Sequence, residues 1–464
     1  MTFHSYGDFL AAKRLADPAT GLATLPDLPA FLFPHQCDIV AWALRRGRAA
    51  IFAGTGLGKT LMELVWSREV ARHTAKPTLL LAPLAVGVQH EGEAARFGID
   101  ARVVHADGSS HETAISNYQK LDRFDLSAFG GIALDESSIL KAYDGHYRTR
   151  LIESASRIPF RLAATATPAP NDFMELGNHA EFLGVMSYTD MLATFFVHDN
   201  SDTRVWRLKG HAQDEFWRWV ASWAVMLRKP SDLGYPDDGY DLPPLRKHPH
   251  VVSTGINIGR GGQYSLFAVE ARSMPERLAA RRGSLAQRIE RAVSITPADG
   301  AYVWWCNLNA ESEGIVASIP GAVEVTGSHS DTEKERRIAA FGRGEIRVLV
   351  TKPSICGFGM NWQHCHRTGF VGLNDSFEQV FQAVRRFWRF GQTEPVDVDF
   401  IYADTEGAVM ANLERKEREA EQMAEAMVRH MADLSAASIR GTVRERPSYD
   451  PRIGMALPAW GEFA

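Results

Sequence analysis

The chain has 464 residues, a formal charge of −5, 45% apolar and 23% charged side chains, an ordinary globular composition with room for about three average domains or two large lobes with appendages. No apolar run approaches the roughly 20 residues that cross a bilayer, so no membrane association is expected, and a mildly acidic chain that meets nucleic acid must do so through a local basic cleft. Cys37, Cys306, Cys356 and Cys365 have no paired spacing, and the opening Met1-Thr2-Phe3-His4-Ser5-Tyr6 lacks a basic segment followed by an apolar one, which points to reduced thiols and a cytoplasmic protein.

Residues 1–30 read as a loosely patterned extension closing in Pro26 and Pro29. Phe31-Leu32-Phe33-Pro34-His35-Gln36 then precedes an amphipathic run from Ile39 to Leu44. The Gln36 amide both donates and accepts, as an adenine edge requires, though an isolated glutamine there is more often a helix-start polar group. Ala49-Ala50-Ile51-Phe52 is a short apolar strand, and Leu61 to Ala71 is rich in helix formers. Between them stands Ala53-Gly54-Thr55-Gly56-Leu57-Gly58-Lys59-Thr60. Its three glycines let consecutive N–H groups turn inward around an anion at the positive end of the following helix. In such a phosphate loop Gly54, Thr55, Gly56, Leu57 and Gly58 wrap the phosphate tail of a nucleotide. Lys59 reaches the β- and γ-phosphates, and the Thr60 hydroxyl holds Mg2+.

The metal needs another oxygen ligand, and the attacking water needs an orienting base. Gly131-Ile132-Ala133-Leu134-Asp135-Glu136 supplies both at the end of an apolar strand, about 75 residues beyond the loop. Asp135 is expected on the metal and Glu136 on the water. Thr78 to Pro83 reads as a buried parallel strand closed by proline, with further strands at Ala101 to His105 and from Phe160 toward Pro168. Strands alternating with helices, with chemistry at the strand ends, describe an α/β doubly wound parallel sheet spanning residues 31–185.

Residues 186–260 change character: Trp206, Trp217, Trp219 and Trp223 read as packing among helices, and proline, glycine and aspartate accumulate between Pro230 and Pro249 as a linker. Residues 261–405 form a second alternating block. A helical stretch from Gln263 to Ile295 leads into strands at 301–306, 322–325, 346–351, 368–373 and 396–402. This block has no phosphate loop, so its expected part is to close over the nucleotide from across a cleft. The segment for that is Gln382 to Gln392, read within a helix over 377–390, with Arg386 and Arg389 three apart on one face. An arginine presented to a γ-phosphate accelerates transfer about 10³- to 10⁵-fold. Residues 406–435 read as a C-terminal helix whose Met423, Met427 and Met431 form a stripe docked on the second lobe, and 436–464 as a basic tail. His364-Cys365-His366 with Cys356 lacks structural-zinc spacing, so no metal is expected there.

Together these motifs resemble superfamily 2 nucleic-acid helicases, specifically the Swi/Snf-type DNA translocases, over residues 30–430, and look most like the compact helicases of bacteriophages and prophages. Phe33 to Gln36 resembles the glutamine motif, Leu81-Ala82-Pro83-Leu84 the next motif, Asp135-Glu136-Ser137-Ser138 the acidic box, and Thr165-Ala166-Thr167-Pro168 with Asn171 the coupling motif. Gly327 to Phe341, Val348 to Gly359 with Asn361, and Gln382 to Gln392 follow in the family's order, and Trp305-Cys306-Asn307-Leu308-Asn309 with Phe358-Gly359-Met360-Asn361-Trp362-Gln363 carries the likeness to the phage and prophage helicases. Departures are Arg385, where the family commonly has glycine, an absent aromatic residue near Gln89, and serines where the acidic box usually ends in histidine.

The resemblance implies two RecA-like lobes in tandem, ATP and Mg2+ at the cleft between them, and a DNA-dependent ATPase acting as helicase or translocase in the cytoplasm of a bacterium or phage-infected host. Lys59, Asp135, Glu136, Gln382, Arg386 and Arg389 would be catalytic. Ser116, Thr165, Thr167, Thr351 and Asn361 would touch the DNA backbone or couple it to ATP, since short polar side chains bind phosphate without reading bases. A nuclease or a replication or recombination protein is a candidate partner. The other reading is a nucleotide-dependent recruitment subunit of a nuclease or methyltransferase system with no motor activity.

Overall fold

The computed structural model describes residues 18–83, 86–106, 110–142, 145–169, 172–198, 206–253, 282–356, 361–373 and 376–441. Leu84, Asn171, Phe358, Gly359, Met360, most of the 263–295 stretch and the tail beyond Gly441 lie outside them.

The chain is mixed α/β, built on two parallel sheets. The first takes β1 (Arg48–Ala53), β2 (Thr78–Ala82), β3 (Ala101–Val103), β4 (Thr113–Asn117), β5 (Gly131–Asp135) and β6 (Phe160–Thr165). A small antiparallel hairpin follows, β7 (Phe196–His198) with β8 (Trp206–Leu208), and then β9 (Ala224–Leu227). The first sheet has seven strands in the order β3-β4-β2-β5-β6-β1-β9. Its central strands are buried on both faces, as the near-continuous apolar runs of a parallel sheet require. Because β6 pairs with β1 on one side and β5 on the other, the ends of all three emerge together. That places the glycine loop, the acidic pair and Thr165 on one edge.

The second sheet has six strands, β10 (Leu245–Val252), β11 (Tyr302–Cys306), β12 (Ala322–Val325), β13 (Val348–Thr351), β14 (Arg367–Val371) and β15 (Val396–Ala403), in the order β10-β15-β14-β11-β13-β12. All its pairings are parallel.

Besides the β7–β8 hairpin, the region read as insert and linker holds two strands that join the main sheets. β9 joins β1 in the first sheet, with Ala53 opposite Leu227; four apolar residues are too short a run for periodicity to separate strand from helix. β10 forms an edge of the second sheet, where the missing N–H of Pro249 is tolerated.

The helices that matter for the site are α1 (Pro34–Arg46), α2 (Lys59–Thr74), α3 (Gly87–Arg96), α4 (Leu176–Leu183), α5 (Gln213–Ala221), α6 (Phe377–Val384) and α7 (Gly407–Ile439). The helix expected over 377–390 stops at Val384, and residues beyond it run on as tight turns in which the Phe387 and Trp388 N–H groups both bond the Val384 carbonyl. Arg386 and Arg389 therefore sit on a turn, not on a shared helix face.

The methionine stripe also docks elsewhere than expected. Met427 and Met431 pack into the first sheet's core with the buried Trp217, Trp219 and Trp223, while Val409, Met410 and Leu413 belong to the second sheet's core. The 33-residue α7 is about 50 Å long at 1.5 Å per residue. It thus straps one sheet's core to the other's. No helix among the described residues is long and apolar enough to cross a membrane.

Candidate functional site

The loop after β1 takes its shape from two glycines in the left-handed region, Gly56 at φ +90° and Gly58 at φ +78°. A Cβ at Gly58 would lie 2.3 Å from Gln36 Nε2, and one at Gly56 would lie 2.7 Å from Phe390 Cβ. Gly56 needs glycine for space as well as for conformation, because the Phe390 backbone blocks a Cβ there, while at Gly58 the left-handed φ is the stronger demand. Gln36, buried on α1, donates from Nε2 to the Leu57 carbonyl at 3.0 Å and accepts the Phe33 N–H at 3.0 Å. It buttresses the loop from behind. At the start of α2, Lys59 Nζ donates to the Ala53 carbonyl at 2.7 Å and the Gly54 carbonyl at 3.2 Å. Burial lowers the Lys59 pKa, against the raising pull of Glu136, Asp135 and Glu63.

Across β6 stand the two acids. Glu136 has φ +57°, a left-handed conformation uncommon for a residue with a Cβ and a form of local strain that collects at functional sites. Its Oε1 accepts from Thr165 Oγ1 at 2.9 Å and Ser138 Oγ at 2.9 Å. Burial, and then Asp135, push its pKa up. For Asp135 burial acts upward, but His90 and Lys59 outweigh it and hold the carboxyl below its usual range. The two neighbours are thereby driven apart in acidity.

The second sheet contributes from the far side. Gln382 Nε2 lies 3.5 Å from Glu136 Oε1 and its Oε1 accepts from Arg386 Nη2 at 3.0 Å. Burial lowers Arg386 to about 9 and Arg389 to about 10, so both stay cationic at neutral pH. Glu136 and Asp135 act on Arg386, and Glu93 and Asp135 on Arg389. Lys59, Asp135, Glu136, Gln382, Arg386 and Arg389 are thus gathered at one seam although they come from two sheets. A cavity of about 760 Å³, within the size range of small-molecule sites, is lined by the neighbouring Gly54, Thr55 and Arg385 but by none of these six, whereas Glu136 lines a second one of about 700 Å³. The larger cavity runs from Gly54 and Thr55 past Thr167 to Arg385 and is closed by the flank of α7.

Comparison with protein-family models finds none that matches the chain, and none of the curated proteins compared matches it either.

The residues expected at DNA are dispersed. Ser116, Thr165 and Thr351 are buried and donate their hydroxyls within the protein, to Val104 O, Glu136 Oε1 and Val325 O. Thr167 lines the 760 Å³ cavity, whereas the exposed Asn361 lines a separate one of about 700 Å³ with Tyr118, Glu136 and Lys334.

Several side chains at the seam were not singled out from the sequence. Glu63 on α2 and His90 on α3 are fully buried beside Asp135. Tyr240, from the segment read as linker, packs on Phe390 with ring centroids 4.8 Å apart, and Phe33 approaches both. This gives the glycine loop an aromatic wall. Nothing in local spacing ties residues 33, 240 and 390 together, so only the fold reveals it.

The donor set suits a nucleotide with a hard cation. A glycine-lined loop at a helix N-terminus offers backbone N–H groups to phosphate, and a threonine hydroxyl with an ionised aspartate offers the oxygen ligands magnesium prefers.

Proposed function

We propose that the protein is an ATPase that hydrolyses ATP at the seam between its two sheets and uses the cycle to move along or remodel DNA. The observation that carries the reading is the convergence of Arg386, Arg389 and Gln382 on Asp135 and Glu136 beside the Lys59 loop. In this reading the lobes are RecA-like, in keeping with the resemblance to Swi/Snf-type superfamily 2 translocases.

ATP with Mg2+ supplies the phosphoryl group and its charge neutralisation. The protein supplies position and field. The loop N–H groups and Lys59 hold the phosphates, and Thr60 with Asp135 would hold the metal. Glu136, kept in place by Thr165 and Ser138 with its pKa raised, orients a water and accepts its proton. Arg386 and Arg389 remain charged at neutral pH and meet the charge that develops on the transferred group. Phe33, Tyr240 and Phe390 offer an apolar face to the base. Binding that favours the closed arrangement of the sheets, followed by hydrolysis, shifts their equilibrium once per cycle. DNA gripped by both lobes would then be stepped.

A recruitment subunit without motor activity would have no need of Lys59, Glu136 and Arg389 together at one seam. The test is ATP turnover measured without DNA and with single strands, duplexes and forks, with Lys59→Ala as the control. DNA-stimulated turnover lost in Lys59→Ala supports the motor; nucleotide binding without turnover on any DNA supports the recruitment reading instead.

A further inference from the structure

Asp135 has a neighbour to which the phosphate-loop chemistry gives no task. His90 is completely buried (0% exposed) on α3. Its Nδ1 stands 3.1 Å from the Val86 carbonyl, and its Nε2 stands 3.2 Å from Asp135 Oδ2 and 3.7 Å from Glu63 Oε2, Glu63 being just as buried. A carbonyl oxygen can only accept, so Nδ1 carries a proton. An ionised carboxylate also only accepts, so a neutral ring would aim the Nε2 lone pair at Asp135 in a dry interior. The arrangement is favourable when Nε2 is protonated as well. The ring is then fixed at one end by its hydrogen bond to backbone and held at the other by charge attraction to Asp135 across 3.2 Å, a contact too bent to count as a hydrogen bond, with Glu63 on its far side.

We propose that His90 is a positioning residue that clamps the metal-binding carboxylate: anchored on Val86 and backed by Glu63, it fixes one oxygen of Asp135 so that the other stays available to Mg2+. The inference rests on the ATPase reading above. A carboxylate free to rotate must be ordered when the metal binds, whereas a pinned one is ordered beforehand. Partners of this kind behind a metal ligand change metal affinity about 10- to 100-fold when removed. Among the described residues no hydrogen bond or ion pair links His90 to the glycine loop, so binding of metal-free nucleotide should not depend on it.

The experiment is a Mg2+ titration of ATP binding to the full chain, with parallel binding in a chelator, for wild type, His90→Ala and His90→Gln. His90→Ala should raise the Mg2+ midpoint about tenfold or more and leave metal-free ATP affinity unchanged. His90→Gln keeps an N–H donor and should recover part of the loss, and it serves as the folded variant if the alanine does not fold. An unchanged midpoint in His90→Gln and His90→Ala would overturn the clamp. So would an equal loss of metal-free binding, the mark of a merely structural role. Stoichiometric Zn2+ or Mn2+ uptake by nucleotide-free wild type, lost in His90→Ala, would also overturn it by making the cluster an ion site in its own right. Wild type that binds no ATP with or without Mg2+ is a different result, which removes the ATPase reading and the clamp with it.

Discussion

Gln382 Nε2 lies 3.5 Å from Glu136 Oε1, joining side chains 246 residues apart that belong to different sheets. The contact is long for a hydrogen bond, so it holds the seam closed only weakly. The carboxylate itself is held on its own side by Thr165 and Ser138, each at 2.9 Å. Glu136 is therefore set by the first sheet and met by the second.

Removing one of those donors tests that division of labour. Thr165→Ala deletes a hydrogen bond to a charged group, worth about 1.5–3 kcal/mol, or roughly a 10- to 100-fold fall in kcat. Thr165 is turned to the acid rather than to the loop, so KM for ATP should hardly change. Steady-state kinetics at saturating DNA would check this; a rise in KM at constant kcat would mean that Thr165 serves binding instead.

α2 ends at Ala75 in a left-handed conformation, φ +52° and ψ +29°, exposed to solvent. Alanine carries a Cβ penalty there that glycine does not. Ala75→Gly should stabilise the protein by about 0.5–1 kcal/mol after the extra freedom of glycine in the unfolded chain is deducted. Chemical denaturation would show the gain as a higher midpoint with an unchanged slope.

Met431 is fully buried in the first sheet's core although it lies on a helix that begins in the second's. Met431→Ala should cost about 2–5 kcal/mol through lost burial and the cavity left behind. Because α7 straps the two cores, thermal unfolding of this variant should also lose cooperativity between them. A change below 1 kcal/mol, with one sharp transition retained, would show that the strap does not hold the cores together.

The parts of the site that the sequence made legible are those where local chemistry is self-sufficient. A strand, a glycine-rich turn and a helix start announce Lys59 and Thr60 without reference to the rest of the chain, and an apolar strand ending in two acids does the same for Asp135 and Glu136. Both sheets were readable because their central strands are continuous apolar runs. β9 and β10 were not, since one is four residues long and the other lies among prolines and carries one itself. The turn bearing Arg386 and Arg389 reads as helix because its aromatic and basic residues give no stop signal before Gly391. The docking of α7 is not legible, because a methionine stripe states that a face is buried and not against what. His90 and Glu63 were invisible for a related reason: each is an ordinary helical residue until the fold sets it against Asp135.

The central claim is that arginines from the second sheet complete a nucleotide site on the first. The measurement that tests it most directly is DNA-stimulated ATP turnover of Arg389→Ala, with ATP binding measured on the same preparation. The account predicts a fall of about 10²-fold or more in kcat with binding partly retained. An Arg389→Ala protein that hydrolyses ATP at the wild-type rate would contradict it.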